Sequence, residues 1–247
     1  MTRGDLAGKV ALVTGGSGGI GRAIIAALED AGATAVSLDL EDLQSGPSAT
    51  GPASAGARWI RCDVRDDASV AAAIAQTVDA YDRIDIAIHA AGIARDAVVW
   101  KLSVDDWDAV QQVNLRGAFL LLRHTVPVMR RGGAGRVVLI GSINGSRGKV
   151  GTSAYSASKA GLIGLAKSVS REAGRFGVLV NVVEPGWVRT PLTEKVDEKI
   201  RQAALAETQL GELVDPEDVA ATVLFLCGSG ARRVTGQVLR VDAGQYL

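Results

Sequence analysis

Tyr155 and Lys159 stand four residues apart in the stretch YSASK. On a helix that spacing puts both side chains on one face. A phenol with a pKa near 10 is a poor acid or base at neutral pH. An ammonium about 4 Å away favours the phenolate by up to ~4 kcal/mol at an effective dielectric of about 20, roughly three pKa units. A Tyr tuned in this way can exchange a proton with an alcohol or ketone oxygen. Ser142 follows an apolar run and offers a hydroxyl for the same oxygen, while Asn114 interrupts a long helical stretch. The chemistry this set suits is ketone–alcohol interconversion, with a cofactor carrying the hydride. The alternatives are a surface Tyr and Lys, a serine at a strand end, and an Asn that caps a helix.

A second cluster precedes it in the chain, Thr14-Gly15-Gly16-Ser17-Gly18-Gly19-Ile20-Gly21. It frames as GxGxxG on Gly16, Gly18 and Gly21, or as GxxxGxG on Gly15, Gly19 and Gly21. Glycines let the backbone approach a pyrophosphate, and a helix opening there turns free N–H groups toward it. The pattern is weak alone, but a strand stands before it and a helix after it. Asp39 closes the second apolar run, where a carboxylate can accept from both adenosine ribose hydroxyls. A 2′-phosphate would meet like charge there, and Ser17 and Gly18 supply no cation. The expected cofactor is NAD(H), with NADH preferred over NADPH. Asp63, beside Val64, either meets the adenine amino group or caps the helix that begins near Ala68.

These residues need a scaffold, and the chain alternates strand and helix throughout. Strands are predicted at Val10–Val13, Ala33–Leu40, Arg58–Cys62, Ile84–His89, Arg136–Ile140, Val178–Val183 and Gln237–Val241. Helices are predicted at Ile20–Ala31, Ala68–Tyr81, Val104–Met129 with a break near Val113, Ser153–Phe176 and Pro216–Cys227. Short Val/Ile/Leu-rich strands without polar alternation are buried on both faces. Strands separated by helices imply right-handed crossovers. The expected fold is α/β: a single doubly wound Rossmann domain over 1–247, with a seven-stranded parallel sheet and helices on both faces. Ligands of such sheets bind at the carboxyl ends of the strands. The stretch 41–56, rich in Gly, Pro, Ser and Ala, reads as an exposed loop.

Composition narrows the rest. The chain has 247 residues, with 27 Lys+Arg against 27 Asp+Glu and only 4% aromatics. Zero net charge and few aromatics argue against a nucleic-acid partner. Cys62 and Cys227 are two thiols without CxxC spacing, so no metal is expected. Met1–Val10 lacks the apolar core of a secretion signal, and no run reaches the ~20 apolar residues of a membrane span. The expectation is a soluble, cytoplasmic protein with no membrane partner.

Taken together, TGGSGGIG (14–21), Asp63, Asn114, Ser142, YSASK (155–159) and EPGWVRT (184–190) resemble the short-chain dehydrogenase/reductase family in order and spacing. The resemblance covers essentially the whole chain. It implies that Tyr155 is the acid/base, that Lys159 also holds the nicotinamide ribose, that Ser142 positions substrate and that Asn114 supports a water relay from Lys159. It places Ile20 and Gly21 in the phosphate turn, and Pro185, Gly186, Val188 and Thr190 over the nicotinamide. Three departures stand out. The family's NNAG is His89-Ala90-Ala91-Gly92 here; Gly92 still allows close approach to the adenosine, and His89 is a replacement hydrogen bonder. The loop 41–56 stands where the family has a helix. Glu184 replaces a small residue, either adding a carboxylate to the cleft or facing solvent.

Stretches 92–119 and 155–192 are most similar to 3-oxoacyl thioester reductases, implying a small carbonyl or alcohol substrate such as a CoA or acyl carrier protein thioester. Arg130, Arg131 and Arg171 resemble residues that meet acidic carrier protein, although cations at helix C-termini need no partner. Segment 188–211 is the expected substrate lid, with Leu192, Val196, Ile200 and Leu205 lining a slot or packing the lid down, and Trp187 narrowing the slot. Other readings are an NAD-dependent secondary-alcohol, sugar or steroid dehydrogenase, or a silent dinucleotide sensor. A homotetramer is implied, pairing helices 105–129 and 153–176, with 236–247 near another interface.

Overall fold

The computed structural model describes residues 5–41, 58–190, 193 and 196–247. Seven parallel strands form one sheet in the order β3-β2-β1-β4-β5-β6-β7. They are β1 Val10–Thr14, β2 Thr34–Asp39, β3 Arg58–Arg61, β4 Ile86–His89, β5 Gly135–Ile140, β6 Val178–Pro185 and β7 Val238–Val241. The expected α/β architecture is therefore observed. The order reverses between β1 and β4, and that switch point opens the crevice above the sheet.

The helices are α1 Gly19–Asp30, α2 Asp67–Tyr81, α3 Val104–Gln111, α4 Gly117–Gly132, α5 Ile143–Arg147, α6 Ser153–Ala173, α7 Glu198–Glu207 and α8 Pro216–Cys227. Two cores result, one on each face. One packs α1 and α8 over the sheet through Ile24, Leu28, Val219, Val223 and Leu226. The other packs α2, α4 and α6 through Ile74, Leu121, Met129, Leu162 and Ala166. β1 and β4 are buried along their whole length and β6 at every residue but Leu179, so their side chains feed both layers.

The break expected near Val113 is a π-helical turn, Gln112–Arg116, between α3 and α4. Such a turn holds one extra residue and re-aims a side chain. Helix α5 was not anticipated, because five residues, INGSR, carry no readable period. Within the expected lid, α7 buries Ala204 while Ile200 is 47% exposed. Leu192 and, apart from Glu41, the expected loop 41–56 lie outside the described residues.

Candidate active site

The glycine turn is built where β1 meets α1. Gly15 has φ +67°, and a Cβ there would stand 2.6 Å from the Ala91 backbone nitrogen. A Cβ on Gly21 would collide with the Gly15 carbonyl oxygen and the Gly16 backbone. Both must be glycine for the turn to close. The Asp39 carboxylate reaches this turn from β2. Its Oδ2 accepts from the Ser17 N–H at 3.0 Å and from the Ser17 hydroxyl, and its Oδ1 accepts from Leu40 N–H at 2.7 Å.

A cavity of about 470 Å³ lies beside the turn, lined by Gly15, Ser17, Gly18, Asp39, Asp63 and Val64 among others. A second, of about 280 Å³, is lined by Ile20, Ser142, Tyr155, Lys159, Pro185, Gly186, Val188 and Thr190 among others. Ala90, Gly92 and Ile93 line both, so the two are halves of one cleft. Ser17 and Gly18 face one half and Ile20 the other, and the α1 N-terminus sits between them. A two-lobed ligand with an anionic centre fits this arrangement.

Ser142 is the N-cap of α5, its Oγ accepting from Asn144 N–H at 3.2 Å. It also lies close enough to the Tyr155 phenol to act on that group's pKa. Tyr155 and Lys159 lie in the first two turns of α6, and the ammonium is 5.6 Å from the phenol ring centroid. Lys159 is buried, and its Nζ donates to the Ile140 carbonyl at 2.7 Å. Burial pushes its pKa down to about 8. The phenol departs from expectation. Burial raises its pKa, the Ser142 hydrogen bond opposes that rise, and Asp96 adds to it. Desolvation therefore outweighs the Ser142 hydrogen bond, and the protein alone does not make the Tyr a ready base.

Asn114 sits fully buried in the π-helical turn. Its Oδ1 accepts from Ile93 N–H at 2.8 Å, while its Nδ2 donates to the Ile93 carbonyl and the Ser158 hydroxyl, each at 3.0 Å. It ties the shared wall of the cleft to α6 and does not cap a helix. A Cβ on Gly92 would lie 3.3 Å from Lys159 Nζ and 3.5 Å from Asn114 Oδ1. The glycine thus also clears space for these two groups.

His89 is fully buried between Thr14 Oγ1 at 3.0 Å from Nδ1 and the Asn114 carbonyl at 3.2 Å from Nε2. A carbonyl only accepts, so Nε2 carries the proton and Nδ1 accepts from Thr14. Burial, with Lys159 second, pushes the imidazole pKa down to about 3. His89 is the hydrogen bonder that its place suggested, and no metal-ligand cluster occurs among the described residues.

Other expectations need correction. Asp66, not Asp63, caps α2, accepting from Ala68 and Ser69 N–H. Asp63 is held by Arg65 through contacts of 2.7 to 3.2 Å, which lower its carboxyl pKa. Glu184 neither enters the cleft nor faces solvent. It is 0% exposed, accepts from the Ser146 hydroxyl at 2.8 and 2.9 Å, and lies 3.5 Å from Arg240 Nε. Val196, Ile200 and Leu205 are not on the cavity wall, which Trp187, Thr190 and Thr193 supply instead.

Sequence reading missed Arg147, Lys149 and Gln245, all on that wall. Arg147 pairs with Glu207 of α7 at 2.9 Å. Gln245 donates to the same Glu207 oxygen at 2.9 Å and accepts from Trp187 N–H at 2.9 Å. Lys149 Nζ stands 5.5 Å from the Trp187 ring centroid. These partners are distant in sequence, and no local pattern announces them.

The family model described as Enoyl-(Acyl carrier protein) reductase matches residues 15–245. The chain is 38% identical over 244 residues to the 3-oxoacyl-[acyl-carrier-protein] reductase FabG of Thermotoga maritima, covering 98% of this chain and 99% of that protein. It is 36% identical over 253 residues to the (3R)-3-hydroxyacyl-CoA dehydrogenase of Canis lupus familiaris, covering 98% of each. The solved structure of gox2181 superposes with a TM-score of 0.91 at 31% identity, covering 97% of this chain and 96% of that one. The cleft, the Ser–Tyr–Lys set and these likenesses agree: the chain is an oxidoreductase that belongs to the short-chain dehydrogenase/reductase family.

Proposed function

We propose that the protein interconverts a ketone and a secondary alcohol with NAD(H), acting on a 3-oxoacyl or 3-hydroxyacyl thioester. The observation carrying this reading is the convergence of Ser142, Tyr155 and Lys159 on one half of a cleft whose other half is walled by the glycine turn and Asp39. The dinucleotide supplies the hydride and, when oxidised, a positive charge beside the phenol. Adenosine would lie against Asp39, Asp63 and Val64, with the phosphates over Gly18–Gly21 and the nicotinamide among Pro185, Gly186, Val188 and Thr190. Lys159 would hold the nicotinamide ribose.

Ser142 holds the substrate oxygen, and the protonated Tyr155 donates to it during reduction. A phenol held above its ordinary pKa stays protonated across the neutral range, which suits reduction. Buried Asn114, bonded to Ile93 and Ser158, keeps the wall beside Lys159 in place. Its main-chain carbonyl accepts from His89 Nε2 with one lone pair, which leaves the second for a water of a relay from Lys159.

Asp39 supports NADH over NADPH, because a 2′-phosphate would approach a carboxylate. Arg65 is a cation on the same wall, but its guanidinium is taken by Asp63. A thioester substrate is favoured by the names of the full-length relatives. Carrier-protein docking on Arg130, Arg131 and Arg171 has less support, since Arg130 lies 4.3 Å over the Phe176 ring and already has a structural role. We read segment 188–211 as the lid and the assembly as a homotetramer, because Leu115, Phe119 and Leu165 leave an apolar hollow between α4 and α6.

The test is a substrate panel with NADH and NADPH: acetoacetyl-CoA, longer 3-oxoacyl thioesters, cyclic ketones and keto sugars. Thioester turnover with NADH is expected to exceed the rest. Turnover confined to cyclic ketones or sugars would replace the thioester assignment, and an NADPH preference would remove the Asp39 argument. Light scattering of the purified protein checks the tetramer.

A further inference from the structure

Glu184 is a fully buried carboxyl group that the chemistry above does not use. Burying such a group is costly unless it is hydrogen-bonded, so its partners carry information. One packing neighbour and one hydrogen-bond partner lie on either side of Ser142 in the chain. On one side, Gly141 packs so close that a Cβ there would sit 3.2 Å from Glu184 Cγ. On the other, the Ser146 hydroxyl on α5 donates to both carboxyl oxygens, at 2.8 and 2.9 Å. The register of β6 with β7 pairs Glu184 with Arg240, whose Nε lies 3.5 Å from Oε2. Arg240 is itself stacked 4.3 Å over Tyr246.

A five-residue helix has little stability of its own. The orientation of Ser142, its N-cap, therefore depends on what holds α5 down. We infer that Glu184 is a positioning residue for Ser142, anchoring α5 through Ser146 while Arg240 offsets the buried charge. This rests on the role given to Ser142 above. Glu184 touches no reacting atom and acts only through the short helix.

The experiment combines kinetics with amide exchange on the purified full-length enzyme. Glu184→Ala should lower kcat about tenfold, the factor that about 1.4 kcal/mol of lost positioning gives. Glu184→Gln, which keeps an acceptor for Ser146, should recover most of that loss. In a Ser142→Ala background, Glu184→Ala should change kcat less than about twofold. Amides of residues 143–147 should exchange faster in Glu184→Ala, with the β5 and β6 amides unchanged. Ser146→Ala, at an exposed site, cuts the same link without disturbing the interior and should reproduce both effects.

An equal fall in kcat with and without Ser142, or unchanged exchange over 143–147 in Ser146→Ala, would overturn the inference. If the wild-type enzyme turns over no ketone, the functional reading fails. The exchange data then still decide whether Glu184 anchors α5.

Discussion

The two halves of the cleft are made of different material. The base of the half by β1 and α1 is backbone: Gly15 and Gly21 close a turn with no room for a side chain at either position. The half by α5, β6 and the C-terminal residues is a web of side chains, Glu184 to Ser146, Arg147 to Glu207 and Gln245 to Trp187. A backbone cradle breaks when atoms are added to it. A side-chain web loosens when atoms are taken away. The first half therefore suits a ligand part that never varies, and the second can be retuned for a new substrate without disturbing the first.

The largest expected effect is at the catalytic end. Tyr155→Phe should cut kcat by about 10²–10⁴-fold, the usual worth of a positioned proton donor. Binding of NADH, followed by its fluorescence, should be unaltered. Wild-type rates in this variant would break the division of labour between the halves. Next is the cradle: Gly21→Val drives a side chain into the Gly15 carbonyl and should cost about 3 kcal/mol of folding stability, read as a lower urea midpoint. A variant that unfolded at the wild-type midpoint would mean that the turn can relax.

Lys159→Met should act in the opposite direction on stability. The folded-state pKa is about 8 against an ordinary 10.5, so the folded protein binds fewer protons than the unfolded chain between those values. Stability gained from the lysine's neutral form is therefore present above pH 10.5 and lost as pH falls through 8. At pH 7 the Met variant should be more stable by on the order of 2 kcal/mol while losing activity, and the gap should close toward pH 10.5. Thermal melts at both pH values check this. The smallest effect belongs to Asp39→Ala, which should shift the NADH-to-NADPH ratio of kcat/KM by about tenfold, equivalent to about 1.4 kcal/mol.

The same division explains what the sequence revealed. All seven strands, the glycine turn, the break near Val113 and the Tyr–Lys pair were legible because each is a local pattern of a few residues. Helix α5 was not, since INGSR has no amphipathic period and is held by Glu184, 38 residues away from Ser146. The phenol's pKa direction was also missed. Spacing brought an ammonium near, but the amount of surrounding protein that dehydrates the phenol is a property of the fold. Arg147 and Gln245 came to the cleft wall by contacts across 98 residues, a separation that no motif spans.

The wide turn at Gln112–Arg116 has one more consequence. Removing a single residue from it would let α3 and α4 run on as one regular rod, with both flanks still in register with their neighbours. Such a protein would keep its sheet and its apolar layers, yet Asn114 would no longer point at Ile93 and Ser158. One amino acid of slack thus decides whether the shared wall of the cleft is tied to α6 in an otherwise unchanged architecture.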